Sequence, residues 1–355
     1  MKEDKNFLGD LINAISPSGY EKLGTDVFDK WVGETTRARH ILRDRNYNSL
    51  WSLGNGDIKV LLTAHIDEIS GIVQSIDESG LVSIINVGGM DRKVVYGSSV
   101  CILKDDDSSI NGYVCHKPIH LQENEEYEKS DKFKDLKIDL GCESREEVLA
   151  LGVHPGLKVV NRRDYDMDFG NNRLRGNALD DKSCCYILGQ VGKKLSSLDP
   201  ELPIFKKYTF IFGVVGCEET GLENARIVAQ NINPDISIDL DVTFGGKRDG
   251  LCPEEDGEAE LGKGCVIMYG PDKNPSVTKI LRRVAEEKKI PYQEQASRAG
   301  GTNTASFKNF SLNCASALIS IPDANMHQVN EIEDWRDIDS AISLLYETLI
   351  CGYLE

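Results

Sequence analysis

Apolar positions along this chain follow two recurring patterns. One is the short unbroken run of β-branched and aromatic residues that reads as a buried strand, and the other is the three-four spacing of an amphipathic helix. Phe7, Leu8, Leu11, Ile12 and Ile15 make a helical stripe that Pro17 and Gly19 end. Leu23, Val27, Phe28, Trp31 and Val32 make a second, over residues 21–33. A turn-rich stretch from Asn46 to Asp57, with Gly54 and Gly56, then leads into an apolar strand from Ile58 to Leu62.

The texture changes between about residues 71 and 170. Short alternating runs such as LVSIINV and SSVCIL, separated by Gly, Asp and Ser clusters, predict an inserted β-barrel or sandwich. Helix–strand alternation resumes at RGNALDDKSCCYILGQVGKKL, where Asp180 or Asp181 is a candidate N-cap for a helix carrying Cys184, Cys185, Ile187 and Leu188. Strands are expected in YTFIFGVV, PDISIDLDVTF, CVIMY and CASALISIP. Helices are expected at 275–288, before Pro291, and over Ile338, Ile342, Leu345 and Leu349. Residues 245–264 and SRAGGTNTASF read as loops. The whole is an α/β protein with a β-rich insertion.

Composition narrows the partners. A formal charge of −17 argues against nucleic acid, whose phosphates demand clustered Lys and Arg. The acidic runs Asp105-Asp106-Asp107, Glu123 to Glu128 and Glu254 to Glu260 read as solvated loops. No apolar stretch approaches the roughly 18–20 residues of a membrane span. The charged, then amphipathic start differs from a secretory signal. Ten cysteines lie scattered without a C-x-x-C pair, and free, mostly buried thiols in a reducing compartment are expected. A cytoplasmic protein with no membrane partner is the resulting expectation.

Candidate chemistry sits where strands end, which in open α/β sheets is where ligands bind. His65, Asp67 and Glu68 lie just past the first strand, and Glu218-Glu219 past YTFIFGVV. Asp241 closes a third strand, Asp180 opens a helix, and His327 follows a fourth strand. His65, Asp180, Glu219, Asp241 and His327 form a mixed nitrogen–oxygen set suited to zinc, cobalt or manganese. One shared carboxylate can bridge two such ions about 3.5–4 Å apart. A glutamate beside them can take a proton from water and pass it to a leaving amine. Asp67 can orient the His65 imidazole. Singly, each residue also has an ordinary structural reading as a cap, turn or surface group; the ordered combination carries the signal.

That combination resembles the dinuclear-metal aminopeptidases that assemble into tetrahedral dodecamers, the family of glutamyl and deblocking aminopeptidases. The segments that carry the resemblance span nearly the whole chain: AHIDEIS, NVGGMDRKVVYG, KIDLGCESREEVLALGVHPG, GNALDDK, GCEETGLENA, DISIDLDVT, LGKG, GGTNTASF and MHQVNEI. The resemblance implies a zinc-peptidase-like mixed sheet sandwiched by helices. Residues 1–70 and 171–355 would form its discontinuous catalytic domain, and 71–170 the inserted small β domain that contributes to oligomer contacts. It implies two divalent ions per chain, one held by His65, Asp180 and Asp241 and the other by Asp180, Glu219 and His327. Asp180 would be the bridge, Glu218 the general acid/base and Asp67 the support for His65. It further implies short peptide substrates and self-association.

Several departures from the usual family pattern lie on the substrate side: Gln328-Val329 after the last histidine, Asn303-Thr304-Ala305 after Gly-Thr, Thr220 and Glu223-Asn224, and the long acidic segment 245–264. None removes a ligand or Glu218. Lys247 and Arg248 could reach an acidic first side chain, or form a solvated turn. Relatives labelled endoglucanases raise glycoside hydrolysis as an alternative, but that chemistry uses two carboxylic acids and normally no histidine-bound metal. A non-catalytic binding or assembly role is the other alternative, and it would be favoured by loss of Glu218 or a ligand. The G-x-S-x-G and G-x-x-x-x-G-K-[ST] motifs of serine hydrolases and NTPases are absent.

Overall fold

A computed structural model describes residues 2–122, 133–246, 250–298 and 300–354. The acidic run Glu123 to Glu128 lies outside them. Two helices, Lys2–Asn13 and Lys22–Thr35, precede strands Arg39–Arg43 (β1), Ser49–Leu53 (β2) and Ile58–His65 (β3). The chain then enters a closed barrel of Ser70–Ile76 (β4), Val82–Val87 (β5), Ser99–Leu103 (β6), Ser109–Cys115 (β7), Lys137–Asp139 (β8) and Lys158–Asn161 (β9). Alternate residues of these strands fill its interior, among them Val73, Val82, Ile84, Ile102, Val114, Ile138 and Val159. Closing the sheet removes its edges, so a small β unit can stand between two α/β segments without exposing unpaired backbone.

After the barrel come Asp166–Phe169 (β10), Arg173–Gly176 (β11) and the long helix Leu179–Ser196. Tyr208–Val215 (β12), Ile236–Phe244 (β13), Cys265–Tyr269 (β14), Tyr292–Ala296 (β15), Ala315–Asp323 (β16) and Glu331–Asp334 (β17) complete the strands. Eight form one mixed sheet in the order β1-β2-β12-β3-β13-β16-β14-β15, while β10, β11 and β17 form a small separate one. The central strands β3, β12, β13 and β16 are buried on both faces, which is why they read as continuous apolar runs. Val60, Leu62 and Ala64 of β3 pack into the large core beneath Leu179–Ser196 and both N-terminal helices. Leu61 points the other way, into a smaller cluster with Ile211, Val228 and Phe307 under helices Glu223–Ile232 and Thr304–Phe310. The fold is the helix–sheet–helix sandwich with a β-barrel that the sequence implied. Among the described residues, no helix is long and apolar enough to cross a membrane.

Three local expectations need correction. The stretch Asn46 to Asp57 is not all turn: it contains β2, which pairs antiparallel with β12 and buries Leu50 and Leu53. The SRAGGTNTASF loop ends in the helix Thr304–Phe310, formed because it lets Phe307 enter the smaller core, a tertiary gain that overrides weak local propensity. Neither Asp180 nor Asp181 is an N-cap. Ala178 holds that position, with φ +53°, and both aspartates lie inside the helix bounds with non-helical backbone. Their carboxylates serve other partners.

Candidate active site

Five elements meet at the carboxyl edge of the sheet. His65 is the last residue of β3, and its Nδ1 lies 3.1 Å from the backbone carbonyl of Asp67. A carbonyl only accepts, so Nδ1 donates to it, and Nε2 faces Asp180 Oδ1, 2.9 Å away. The second oxygen of Asp180 turns to His327 Nε2 at 3.2 Å, and Glu219 Oε1 lies 3.2 Å from the same nitrogen. Asp241 Oδ1, from β13, is 4.0 Å from His65 Nε2. The donor atoms of His65, Asp180 and Asp241 lie within 4.8 Å of one another, as do those of Asp180, Glu219 and His327. Asp180 belongs to both groups. Glu218 lines the same cavity, of about 640 Å³.

Backbone contacts hold these side chains in place. The Asp67 carboxylate accepts the N–H of Glu218 at 3.0 Å and of Glu219 at 3.2 Å, together with the Ser18 hydroxyl at 2.7 Å. It therefore fixes the turn after β12 as well as standing beside the His65 ring, where its Oδ1 is 3.4 Å from Nδ1. Asp181 Oδ2 accepts the backbone N–H of His65, and Glu331 accepts those of Asp180 and His327 at 3.2 and 3.1 Å. His327 has φ +61° and sits against the barrel loop: a Cβ on Gly89 would collide with its imidazole. The barrel loop thus packs directly against a residue of the site.

Burial governs the electrostatics. It raises the Glu218 carboxyl to about 8, with the nearby Glu219 and Asp180 charges adding to it and His65 opposing. Burial likewise lifts Asp241 well above the usual range, helped by Glu218 and Asp181. It would lower both histidines, yet hydrogen bonds that their rings donate to Asp180 and Asp67 lift His65, and those donated to Asp180 and Glu219 lift His327 to about 11. Asp180 goes the other way, its burial outweighed by the two imidazoles. These are acids crowded beyond what two rings neutralise.

Sequence reading missed Glu331, Glu333 and Asp181, all fully buried. Glu331 and Glu333 alternate along β17 and face the aspartate turn. A pair of acids in a short NEIED stretch looks like an exposed edge, and only the pairing of β17 with β11 brings it under the site. Lys247 and Arg248 lie outside the described residues.

A mixed sheet between helical layers, interrupted by a closed barrel and carrying this carboxylate–imidazole cluster, defines an aminopeptidase of the zinc-peptidase-like fold. The sequence model of the family described as M42 glutamyl aminopeptidase matches residues 49–344, and the chain belongs to that family. Its biochemical class is accordingly that of a peptidase. The lysyl aminopeptidase of Pyrococcus furiosus is 27% identical over 96% of this chain and 95% of that protein. Among solved structures, the TET aminopeptidase of a marine sediment Thaumarchaeota archaeon superposes with a TM-score of 0.92 at 24% identity, covering 99% and 97% of the two chains. The TET1 peptidase of Pyrococcus horikoshii, which can assemble into a tetrahedron or a large octahedral shell, gives 0.83 at 24% identity, covering 97% and 98%.

Proposed function

We propose that this chain is a metal-dependent aminopeptidase that removes N-terminal residues from short peptides. The observation that carries the reading is Asp180, whose two oxygens face two different imidazole nitrogens, His65 Nε2 and His327 Nε2. A carboxylate held between two imidazole nitrogens is the arrangement in which a divalent cation on either side could take the place of the Nε2 protons. The donor chemistry, two imidazoles and three carboxylates, fits divalent zinc, cobalt or manganese. His65, Asp180 and Asp241 would hold one ion, and Asp180, Glu219 and His327 the other. Such ions, when bound, lower the pKa of water and polarise the scissile carbonyl.

The chain's own groups do the rest. Glu218, buried and unlinked to either trio, takes the proton of the attacking water on a carboxylate oxygen and delivers it to the leaving amine nitrogen. Asp67 keeps Glu218 in register through its backbone N–H and keeps Nδ1 of His65 protonated beside it. The buried walls of the cavity limit bulk water around the scissile bond. Residues 1–70 and 171–355 would constitute the catalytic domain and 71–170 the inserted one. We further propose self-association, supported by the assembling TET relatives, and a cytoplasmic setting, supported by ten unpaired thiols.

The decisive measurement is hydrolysis of free-amino peptides beside their N-acetylated twins, with and without chelator, in the native enzyme and in Glu218→Gln. Cleavage confined to free amines, lost with chelator and with the substitution, is the expected result. Equal cleavage of blocked peptides, or turnover indifferent to chelator, would overturn the reading.

A further inference from the structure

One side of the cavity is apolar. Register places Ser320 of β16 beside Asp241 and Leu318 beside Asp239, all on the sheet face that carries His65. Val266 of β14 pairs with Ser320, so Met268, two residues on, shares that face. Met268, Leu318, Val266 and Ala259 form one small apolar cluster. Met268 and Leu318 are 5% and 2% exposed and line the cavity, as do the half-buried Leu222 and Met326. The remaining wall is the loop of Ser297, Gly300 and Thr302. It is tied down by a buried pair: Asp272 accepts the N–H of Gly300 at 3.0 Å, and Lys273 donates to Ser297 at 3.1 Å while bridging Asp272 at 2.7 Å.

A second lobe, of about 480 Å³, shares Phe244 and Met326 with the first but is lined by Asp256, Asn325 and Gln328, with Phe244 49% exposed at its mouth. A peptide that loses its first residue places that residue in the lobe that holds the histidines and carboxylates, and its remainder extends toward the second lobe. We propose that the cup of Met268, Leu318, Leu222 and Met326 receives an uncharged apolar first side chain of leucine or methionine size. The enzyme then prefers such N-terminal residues to glutamate or lysine. The inference rests on the aminopeptidase reading and deepens it.

Charge supports this assignment. Among the described lining residues, the ionisable ones are His65, Asp180, Glu218, Glu219, Asp241 and His327, all already given to cation or proton handling. Among the described lining residues, a glutamate side chain in the cup would meet no free cation, and a lysine no free carboxylate. Either would shed its hydration without compensation. Ser320 Oγ and Thr302 Oγ1, buried and without partners, offer hydrogen bonds but no charge.

The test is kcat/KM for Xaa-Ala-Ala tripeptides with Xaa as leucine, methionine, phenylalanine, glutamate or lysine, on the metal-loaded enzyme. Calorimetric binding of free leucine, glutamate and lysine is measured beside it. Leucine and methionine should exceed glutamate and lysine by about 100-fold or more, and leucine should bind most tightly. Met268→Ala, which deepens the cup, should raise the phenylalanine-to-leucine ratio by about tenfold in a folded enzyme. Turnover that favours glutamate or lysine overturns this inference and leaves the aminopeptidase reading standing. An unchanged ratio in folded Met268→Ala overturns it too. Failure to cleave any free-amino peptide removes both together.

Discussion

Two buried acidic clusters lie three residues apart along the chain, at His65 and at Glu68, and they are solved in opposite ways. Glu68 is sealed by the protein's own cation. Arg163 grips both its oxygens, with Nη1 to Oε2 at 2.7 Å, and the N–H of Ser16 adds a third bond at 2.9 Å. Lys182, also buried, stands nearby and donates to the carbonyl of Ile66 at 2.8 Å and to the Ser16 hydroxyl. Burial would raise the Glu68 carboxyl, but Arg163 and Lys182 outweigh it and hold the group below its usual value. Around His65 the reverse holds: Glu218, Glu219 and Asp241 are all raised, by burial first, and no Lys or Arg of the described residues lines their cavity. Burying unpaired carboxylates costs several kcal/mol each, by order of magnitude. A fold that supplies an arginine to one cluster and withholds it from its neighbour is what the proposed cation-dependent reading predicts.

Asp180→Asn tests that contrast most severely, because the amide keeps the shape but surrenders the shared charge. We expect a loss of about 10⁴-fold in kcat/KM, equivalent to about 5.5 kcal/mol. Zinc or cobalt should also no longer raise the melting temperature, since a ligand that binds only the folded state stabilises it by mass action. A full thermal shift in the variant would remove Asp180 from its bridging role. Glu218→Gln comes next. It should cut kcat by about 10²–10⁴-fold, the usual worth of a positioned proton carrier, while the cation-dependent thermal shift persists. Loss of that shift with Glu218 would make it a ligand instead.

The same contrast explains what could be read from sequence. The strands β3, β12, β13 and β16 are legible because parallel pairing buries both faces and leaves unbroken apolar runs. The site residues are legible because they interrupt those runs at their carboxyl ends. Polar edges are not: β1 and β15 carry little apolar signal, and β10, β11 and β17 form a sheet whose residues are mostly charged. In LDDK, Asp180 reads both as a candidate helix cap and as a candidate shared ligand, because the two have the same local signature. Only the distant partners His65, His327 and Glu331 distinguish them. Arg163 was equally invisible as Glu68's partner, since 95 residues and the whole barrel separate them.

Arg163→Met therefore probes the sealed cluster. Breaking a buried pair by removing one partner costs about 3–5 kcal/mol, so the melting temperature should fall well below that of the parent. The sign of the pH dependence is diagnostic. In the parent, Glu68 is held below its ordinary value, so its contribution is present above that value and is lost as the pH falls through the lowered one. In the variant the unpaired carboxyl is raised by burial. Its penalty is then greatest at neutral pH and vanishes on acidification below the ordinary value of about 4.5. The gap between parent and variant should narrow as pH falls from 7 toward about 4. A gap that is constant with pH would mean that Arg163 matters for packing and not for its charge.

The smallest effect is expected where the two clusters touch. Ser16 serves Glu68, and two residues later Ser18 donates its hydroxyl to Asp67, the carboxylate that also holds the N–H groups of Glu218 and Glu219. Ser18→Ala removes one of several donors from a fully buried charge, worth about 1.5 kcal/mol for a hydrogen bond to an ionised group. Asp67 would keep its two backbone bonds, so the Glu218–Glu219 turn should persist with greater positional freedom. That predicts roughly a tenfold fall in kcat with little change in KM, because a proton carrier out of place harms the reaction more than the binding of substrate. If melting temperature falls but kcat holds, Ser18 only ties the N-terminal loop to the sheet, and the positioning of Glu218 is complete without it.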